Sequence, residues 1–213
     1  KLTAGFIAGT GPDAFTDHIS KFAQFVDLDV LLPLDEQAAW SGVDESAFQE
    51  GLIDLWKGED GRQYGCPKDW DTEAVFYNKD MLADAGLSEK DLAAWTWNPD
   101  DGGTFEKILA RLTVDKNGVR GDEDGFDKSR IAVYGLSIKD AGSADGQTQW
   151  SPFTGSAGDW YYTNKETWGD RYRYDDLAFQ KTMDWYFGLV DKGYMPPRGA
   201  FSTTSGTDVQ LGS

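Results

Sequence analysis

Three consecutive residues carry the clearest ligand-binding chemistry in the sequence, because Asp69, Trp70 and Asp71 supply two carboxylates and an indole side by side. Carboxylates accept hydrogen bonds from hydroxyl groups, and an indole offers a flat face to the weakly apolar C–H side of a sugar ring. On an extended backbone the two aspartates point to one side and the tryptophan to the other, so all three face one ligand only if the segment turns. The triplet indicates a site for a polyhydroxylated ligand. Paired carboxylates beside a tryptophan also occur in glycosidase sites, so cleavage of a glycosidic bond stays open as an alternative.

A second group of oxygen-bearing side chains lies in an acidic loop at residues 115–127, which opens with Asp115 and closes with Asp127. Oxygen ligands spaced by two positions are compatible with calcium. The loop departs from the EF-hand template, because Val119 stands at the fifth position and no glutamate stands at the twelfth. We therefore favour a solvated acidic loop without a metal, and keep a calcium site at this loop as the alternative.

Composition excludes several classes of function. The 213-residue chain has a formal net charge of −17, with 37 acidic and 20 basic residues, which disfavours nucleic acid and anionic membrane surfaces as partners. Aromatic residues make up 14% of the chain, and many of them lie in polar, glycine-rich stretches. Aromatic rings in such stretches either stack on a ligand or fill gaps beneath long loops.

Two residue types that often do covalent chemistry occur once each, as Cys66 and His18. A single cysteine excludes a disulfide within the chain, and a Cys–His nucleophile would require these two side chains to meet. A small buried side chain is the ordinary role of a lone cysteine, and we predict that role for Cys66.

The elements that must position these residues follow from hydrophobic spacing and from capping residues. Extended segments are predicted at residues 72–77 and, as a buried strand, at residues 131–136. Thr104 is the predicted N-cap of one helix. Helices that alternate with short strands predict an α/β fold with a mostly parallel sheet. The predicted helices cover residues 18–27, 45–56, 78–86, 104–112 and 175–192.

Three stretches carry a family pattern: GTGPDAF at residues 9–15, PKDWDTEAVFYNKDML at residues 67–82 and VDKGYM at residues 190–195. In this order they resemble the sugar-binding proteins of ABC importers, the family that includes maltose-binding protein. The second stretch, with its Tyr-Asn-Lys-Asp, resembles the segment by which such proteins cross from one lobe to the other, and it is the most specific of the three.

The resemblance implies a periplasmic-binding-protein-like, two-lobed α/β fold. Residues 1–66 would form part of the first lobe, and residues 67–213 would form the crossing segment and most of the second lobe. The chain also resembles an interior fragment, because family members usually begin with a strand and helix before the first stretch and continue beyond the third.

The same resemblance implies ligand-binding residues in the first lobe and the crossing segment. Asp71 is expected to accept hydrogen bonds from sugar hydroxyls, and Trp70 either stacks on the sugar ring or packs behind it. Asp17 and His18 follow the first stretch at the position that faces the cleft, where a maltose-binding protein carries an aromatic residue.

In the second lobe, QTQWSPF at residues 147–153 resembles a helix start that supplies a stacking platform. Trp150 is the expected platform, with Gln147 and Gln149 as partners of the sugar hydroxyls. The alternative for Trp150 is a place in the core of the lobe.

The resemblance implies an extracytoplasmic solute-binding protein that captures a sugar or oligosaccharide and delivers it to the permease subunits of an ABC transporter. It implies no catalytic residue and no cofactor, and a location in the periplasm or at the cell surface as a membrane-anchored lipoprotein. A glycoside hydrolase or lyase and a calcium-binding surface module are the alternative functions.

Overall fold

Two units make up the chain in the computed structural model, which describes residues 2–70, 72–137, 149–158, 162–165 and 168–197. The first unit contains Lys1–Thr72 and Lys165–Gly169, and the second contains Glu73–Asn164 and Asp170–Ser213. The division after Thr72 falls inside the segment that the sequence identified as the crossing, whereas the predicted boundary follows Cys66.

Short helices build the first unit. The longest, α2, begins after His18, whose imidazole Nδ1 accepts a hydrogen bond from the backbone N–H of Ser20 at 3.2 Å. A side-chain acceptor at this position satisfies one of the backbone donors that a helix start leaves open. The elements of this unit are α1 (Leu2–Ile7), α2 (Ile19–Asp27) and 3-10 helices at Ala38–Gly42, Glu45–Ala47 and Asp54–Trp56.

Aromatic side chains from distant parts of the chain form the core of the first unit. Phe22 and Phe25 of α2 are each 4% exposed. The Phe25 ring contacts Phe15 at 5.4 Å between centroids, and the Phe22 ring contacts Trp56 at 5.3 Å and Trp168 at 5.9 Å. The indole Nε1 of Trp168 also donates to the carbonyl oxygen of Lys57 at 3.0 Å, which fixes the segment Lys165–Gly169 on this unit.

Local capping signals set the helices of the second unit. Asn78 begins α3 by accepting hydrogen bonds from the N–H groups of Asp80 and Met81, and Asp176 begins α7 in the same way. Gly193 ends α7 with a φ of 80°, a conformation that glycine adopts at low cost. The elements are α3 (Lys79–Asp84), α4 (Glu89–Ala93), α5 (Gly103–Leu112), β1 (Val114–Asp115), β2 (Ile131–Val133), α6 (Ser151–Ala157) and α7 (Leu177–Lys192).

The core of the second unit lies where α5 meets α7. Phe105 and Leu109 of α5 pack with Trp185 and Leu189 of α7, and all four are at most 5% exposed. Burying side chains of this size contributes roughly 1.5–3 kcal/mol each to stability. Partly buried residues nearer the surface, among them Trp150, pack against this core.

Two helix predictions are wrong in their extent. The predicted helix at residues 45–56 is replaced by the 3-10 helices Glu45–Ala47 and Asp54–Trp56, because the backbone turns extended at Phe48 and left-handed at Gly51. Thr104 does not cap α5, which begins at Gly103; its hydroxyl accepts a hydrogen bond from the N–H of Thr96 at 2.7 Å.

The strand predictions also need correction within the described residues. Residues 72–77 are exposed and form no strand there, and β2 covers Ile131–Val133 alone and is not buried. The described sheet consists of β1 paired antiparallel with β2, so the predicted mostly parallel sheet is wrong for this part of the chain. Cys66 is exposed, so the predicted buried role is wrong. Among the described residues, no helix has the length and apolar character needed to cross a membrane.

Candidate functional site

The predicted ligand residues of the first unit lie at or near its surface. Trp70 is 58% exposed, His18 is exposed and Asp17 is half-buried. The His18 ring is already used as the N-cap of α2 and contacts the Ser20 hydroxyl at 2.9 Å. Asp71 lies outside the described residues. The Trp70 indole is therefore accessible to a ligand, whereas Nδ1 of the His18 imidazole is used to cap α2.

The carboxylate of Asp69, next to Trp70, forms an ion pair with Lys68. Both side chains of that pair are largely exposed. An exposed pair of this kind contributes little to stability. Asp69 thus carries a local partner of its own, which makes it a suitable comparison for Asp71 in binding experiments.

The predicted residues of the second unit surround the start of α6. Trp150 is the N-cap residue of α6, is half-buried and packs against the core cluster that includes Phe105 and Trp185. Gln149 is half-buried, and Gln147 lies outside the described residues. The helix start predicted at this position is confirmed. The surroundings of Trp150 match the core alternative, and its role as a stacking platform stays a prediction.

A row of aromatic rings that the sequence did not single out runs from the core of the second unit to its surface. Phe179 contacts the edge of Trp150 at 5.8 Å and stacks on Tyr174 at 4.8 Å with an interplanar angle of 23°. Tyr174 in turn stacks on Tyr172 at 4.9 Å and 19°. Tyr172 is 63% exposed and Tyr174 is 48% exposed. We refer to Tyr172, Tyr174 and Phe179 as the aromatic row.

Backbone pairing holds the outer end of this row. Tyr172 forms an antiparallel bridge with Thr163. The N–H of Arg173 donates to the carbonyl oxygen of Tyr162 at 2.6 Å, and the Arg173 guanidinium Nε donates to the carbonyl oxygen of Thr163 at 3.0 Å. The alternation of Arg, Tyr, Arg and Tyr at residues 171–174 is the pattern of such an extended segment, and it was the signal available in the sequence.

The opposite side of the same segment lines a shallow cavity of about 320 Å³. Along the extended stretch next to the bridge, alternation of side chains explains why Arg171 and Arg173 line the cavity while Tyr172 does not. Several lining groups are already engaged: Asp176 caps α7, and the Asn164 amide bonds to Asp170 at 2.7 Å. The lining residues are Asn164, Arg171, Arg173, Asp175 and Asp176.

The acidic loop is organised around the carboxylate of Asp115. Its Oδ1 accepts hydrogen bonds from the N–H groups of Asn117 and Val119 at 2.7 and 2.9 Å, and its Oδ2 accepts one from Asp127 at 2.9 Å. The side chain is 1% exposed. Burial acts to raise the pKa of Asp115. The backbone hydrogen bonds together have the larger effect and hold the pKa below its usual value.

Two other acidic side chains of the loop form ion pairs with one arginine of α5. Arg111 pairs with Glu123 at 2.8 Å and with Asp122 at 3.4 Å. Within the part of the chain that the structure describes, no three His, Cys, Asp or Glu side chains are placed to hold a metal ion. The contacts of the loop are therefore those of a folded connection between β1 and β2.

Comparison with known proteins places this chain in a family. Residues 1–187 match the bacterial extracellular solute-binding protein family, and the chain belongs to it. Relatives of this kind are binding proteins. The predicted resemblance is thereby confirmed.

Two relatives illustrate the match. The chain is 28% identical over 124 residues to the arabinooligosaccharide-binding protein of Bacillus subtilis strain 168, a match that covers 54% of this chain and 27% of that protein. The fold of the present chain is similar to the crystal structure of UspC from M. tuberculosis, with a TM-score of 0.70 and 26% identity. The match covers 99% of this chain and 48% of that chain. The predicted α/β periplasmic-binding-protein-like fold is confirmed, and the chain spans about half of the solved relative.

Proposed function

We propose that this chain is part of a receptor that captures a sugar or oligosaccharide outside the cytoplasm and delivers it to the permease of an ABC importer. The match of residues 1–187 to the extracellular solute-binding family is the observation that carries the proposal. A relative named for binding arabinooligosaccharides supports a saccharide as the solute.

The exposed indole of Trp70 supports the same class of ligand. A flat aromatic face and adjacent carboxylates bind the C–H side and the hydroxyls of a sugar ring, respectively. In the proposal Asp71 accepts hydrogen bonds from ligand hydroxyls and Trp70 stacks on the ring. Asp17, His18, Gln147, Gln149 and Trp150 are the further proposed contacts.

A glycoside hydrolase or lyase is the alternative of a different class, and a turnover assay separates it from a receptor. The protein is incubated with labelled arabinooligosaccharides, and the mixture is separated by chromatography after prolonged incubation. The receptor proposal predicts a ligand-dependent rise in melting temperature with unchanged oligosaccharides. Shortened products that disappear in Asp71→Ala would establish the enzyme instead.

The calcium-binding module is tested through the acidic loop. Both carboxylate oxygens of Asp115 accept backbone hydrogen bonds, and Asp122 and Glu123 pair with Arg111. We propose that the loop needs no metal. Calcium at matched ionic strength should then leave the melting temperature unchanged, and a specific rise that is lost in Asp122→Ala or Asp124→Ala would overturn this view.

The family is described as extracellular, and we propose a periplasmic or lipid-anchored location for the protein. Fractionation of cells that produce the full-length gene product tests this, with detergent extraction to separate an anchored from a free form. Recovery in the cytoplasmic fraction would contradict the proposal.

A further inference from the structure

The outer end of the aromatic row presents an unusual surface for a soluble protein. Single exposed hydrophobic residues are common and need no explanation. Here two large rings are exposed side by side, with 63% of Tyr172 and 48% of Tyr174 accessible. They stack face to face at 4.9 Å and 19°, and Tyr174 stacks on Phe179 in turn. Tyr174 is therefore covered on both faces, and the outer face of Tyr172, with this stack beneath it, forms a platform.

The platform is held in place before any ligand arrives. Tyr174 is stacked on Phe179, whose ring contacts the buried Tyr162 at 4.8 Å. The bridge between Tyr172 and Thr163 fixes the backbone beneath the outer ring. Rotamers that are fixed in the free protein lose little further entropy on binding, which favours contact with a small or weakly held ligand.

The chemistry of the platform selects among partners. The net charge of −17 disfavours nucleic acids and other polyanions, although aromatic rings can stack on bases. The apolar surface is also narrow, because it consists of the exposed parts of Tyr172 and Tyr174. A protein partner typically buries about 800 Å² on each side, more than two rings provide.

A sugar ring fits this surface better. It has a weakly apolar C–H face that stacks on an aromatic ring and a rim of hydroxyls that needs polar partners or water. A tyrosine hydroxyl is protonated at neutral pH and can donate a hydrogen bond. Burial, together with the neighbouring Tyr172, raises the pKa of the Tyr174 hydroxyl further.

We propose that the outer face of Tyr172, supported by Tyr174, is a second saccharide-contact surface on the second unit, distinct from the residues assigned to the captured ligand. The proposal rests on the proposed function for the class of ligand. Weak contact with a longer polysaccharide at this surface would keep the receptor close to a source of oligosaccharides.

Affinity gel electrophoresis with soluble arabinan, and with soluble xylan in a second gel, tests the proposal. The wild-type protein should be retarded, and Tyr172→Ala should weaken the interaction about tenfold. Tyr172→Trp keeps an aromatic platform and should keep the retardation. The matched control is Phe187→Ala, which removes a ring that is 55% exposed but lies outside the aromatic row and should leave the retardation unchanged.

Two results overturn the proposal: no retardation of the wild-type protein in either gel, or equal retardation of wild type and Tyr172→Ala. Light scattering addresses a protein partner, since a dimer that dissociates in Tyr172→Ala would assign the rings to self-association instead. Calorimetry with short oligosaccharides keeps the two proposals apart. If short oligosaccharides bind in the calorimeter but the gel retardation does not depend on Tyr172, only the second surface is refuted. If the gel retardation depends on Tyr172 but no short oligosaccharide binds in the calorimeter, only the proposed function is refuted.

Discussion

The indole Nε1 of Trp185 donates a hydrogen bond to the carboxylate Oε2 of Glu106 at 2.7 Å. This contact joins α7 to α5 at the core of the second unit, where Trp185 is 5% exposed. The other carboxylate oxygen of Glu106 accepts from the Lys192 ammonium at 2.6 Å. One carboxylate thus holds two positions of α7 against α5.

Glu106→Ala should therefore destabilise the protein. It leaves the buried indole donor of Trp185 without its acceptor, at a cost of roughly 1–3 kcal/mol. Urea unfolding followed by circular dichroism measures the change. The control is Asp184→Ala, which removes an exposed carboxylate from α7 and should change the free energy of unfolding by less than about 0.5 kcal/mol. Equal stability of Glu106→Ala and wild type would contradict the assigned role.

The start of α5 requires glycine at residue 102 for two separate reasons. Gly102 has a φ of 72°, and a Cβ there would lie 2.2 Å from the Trp185 Nε1. Gly118 has a similar φ of 85° but open space around it. Gly118→Ala should cost about 1–2 kcal/mol from backbone strain alone. Gly102→Ala adds a steric clash worth roughly 1–3 kcal/mol more.

Comparing these two alanine variants in the same unfolding experiment isolates the clash. Equal losses of stability for Gly102→Ala and Gly118→Ala would show that Trp185 does not pack against residue 102 as described.

Asp115 makes stability depend on pH on the acid side. Its pKa is held below the usual value of 3.8 in the folded protein. The stabilisation is therefore fully present above the unfolded pKa and is lost as the pH falls through the lower folded pKa. Asp115→Asn should lower the melting temperature at pH 7 and flatten the decline in melting temperature below about pH 5.

The matched comparison for this pH profile is Asp124→Asn, an exposed aspartate of the same loop. It should retain the wild-type profile because its carboxylate does not anchor the loop backbone. If the melting temperature of Asp115→Asn declines with falling pH as steeply as that of wild type, other groups are responsible for the acid sensitivity.

The sequence predicted those helices whose boundaries are encoded locally. Asn78 and Asp176 cap α3 and α7 through donors two or three residues away, and Gly193 ends α7 by its own conformation. At residues 45–56 the same apolar spacing gave a wrong result. There the left-handed Gly51 interrupts a pattern that would otherwise describe one face of a helix.

Contacts between distant residues could not be predicted in this way. Glu106 and Trp185 are 79 positions apart, and neither α5 nor α7 alone encodes their meeting. The aromatic row depends likewise on the bridge between Tyr172 and Thr163. The family pattern predicted the crossing segment, and the division between the two units falls inside it. Motifs of that kind retain information about a shared fold that hydrophobic spacing does not contain, whereas the ligand contact of Trp70 stays a prediction.

Calorimetry of the protein with arabinooligosaccharides of increasing length tests whether it is a saccharide receptor, with Asp71→Ala and Asp69→Ala measured alongside wild type. We expect saturable binding by wild type and a loss of about 1.5–3 kcal/mol of binding free energy in Asp71→Ala, because a charge-assisted hydrogen bond to the ligand is removed. Asp69→Ala, which removes the partner of Lys68, should bind like wild type. Wild-type affinity in Asp71→Ala would contradict the role of Asp71 in binding, and the absence of binding to any saccharide would contradict the receptor function.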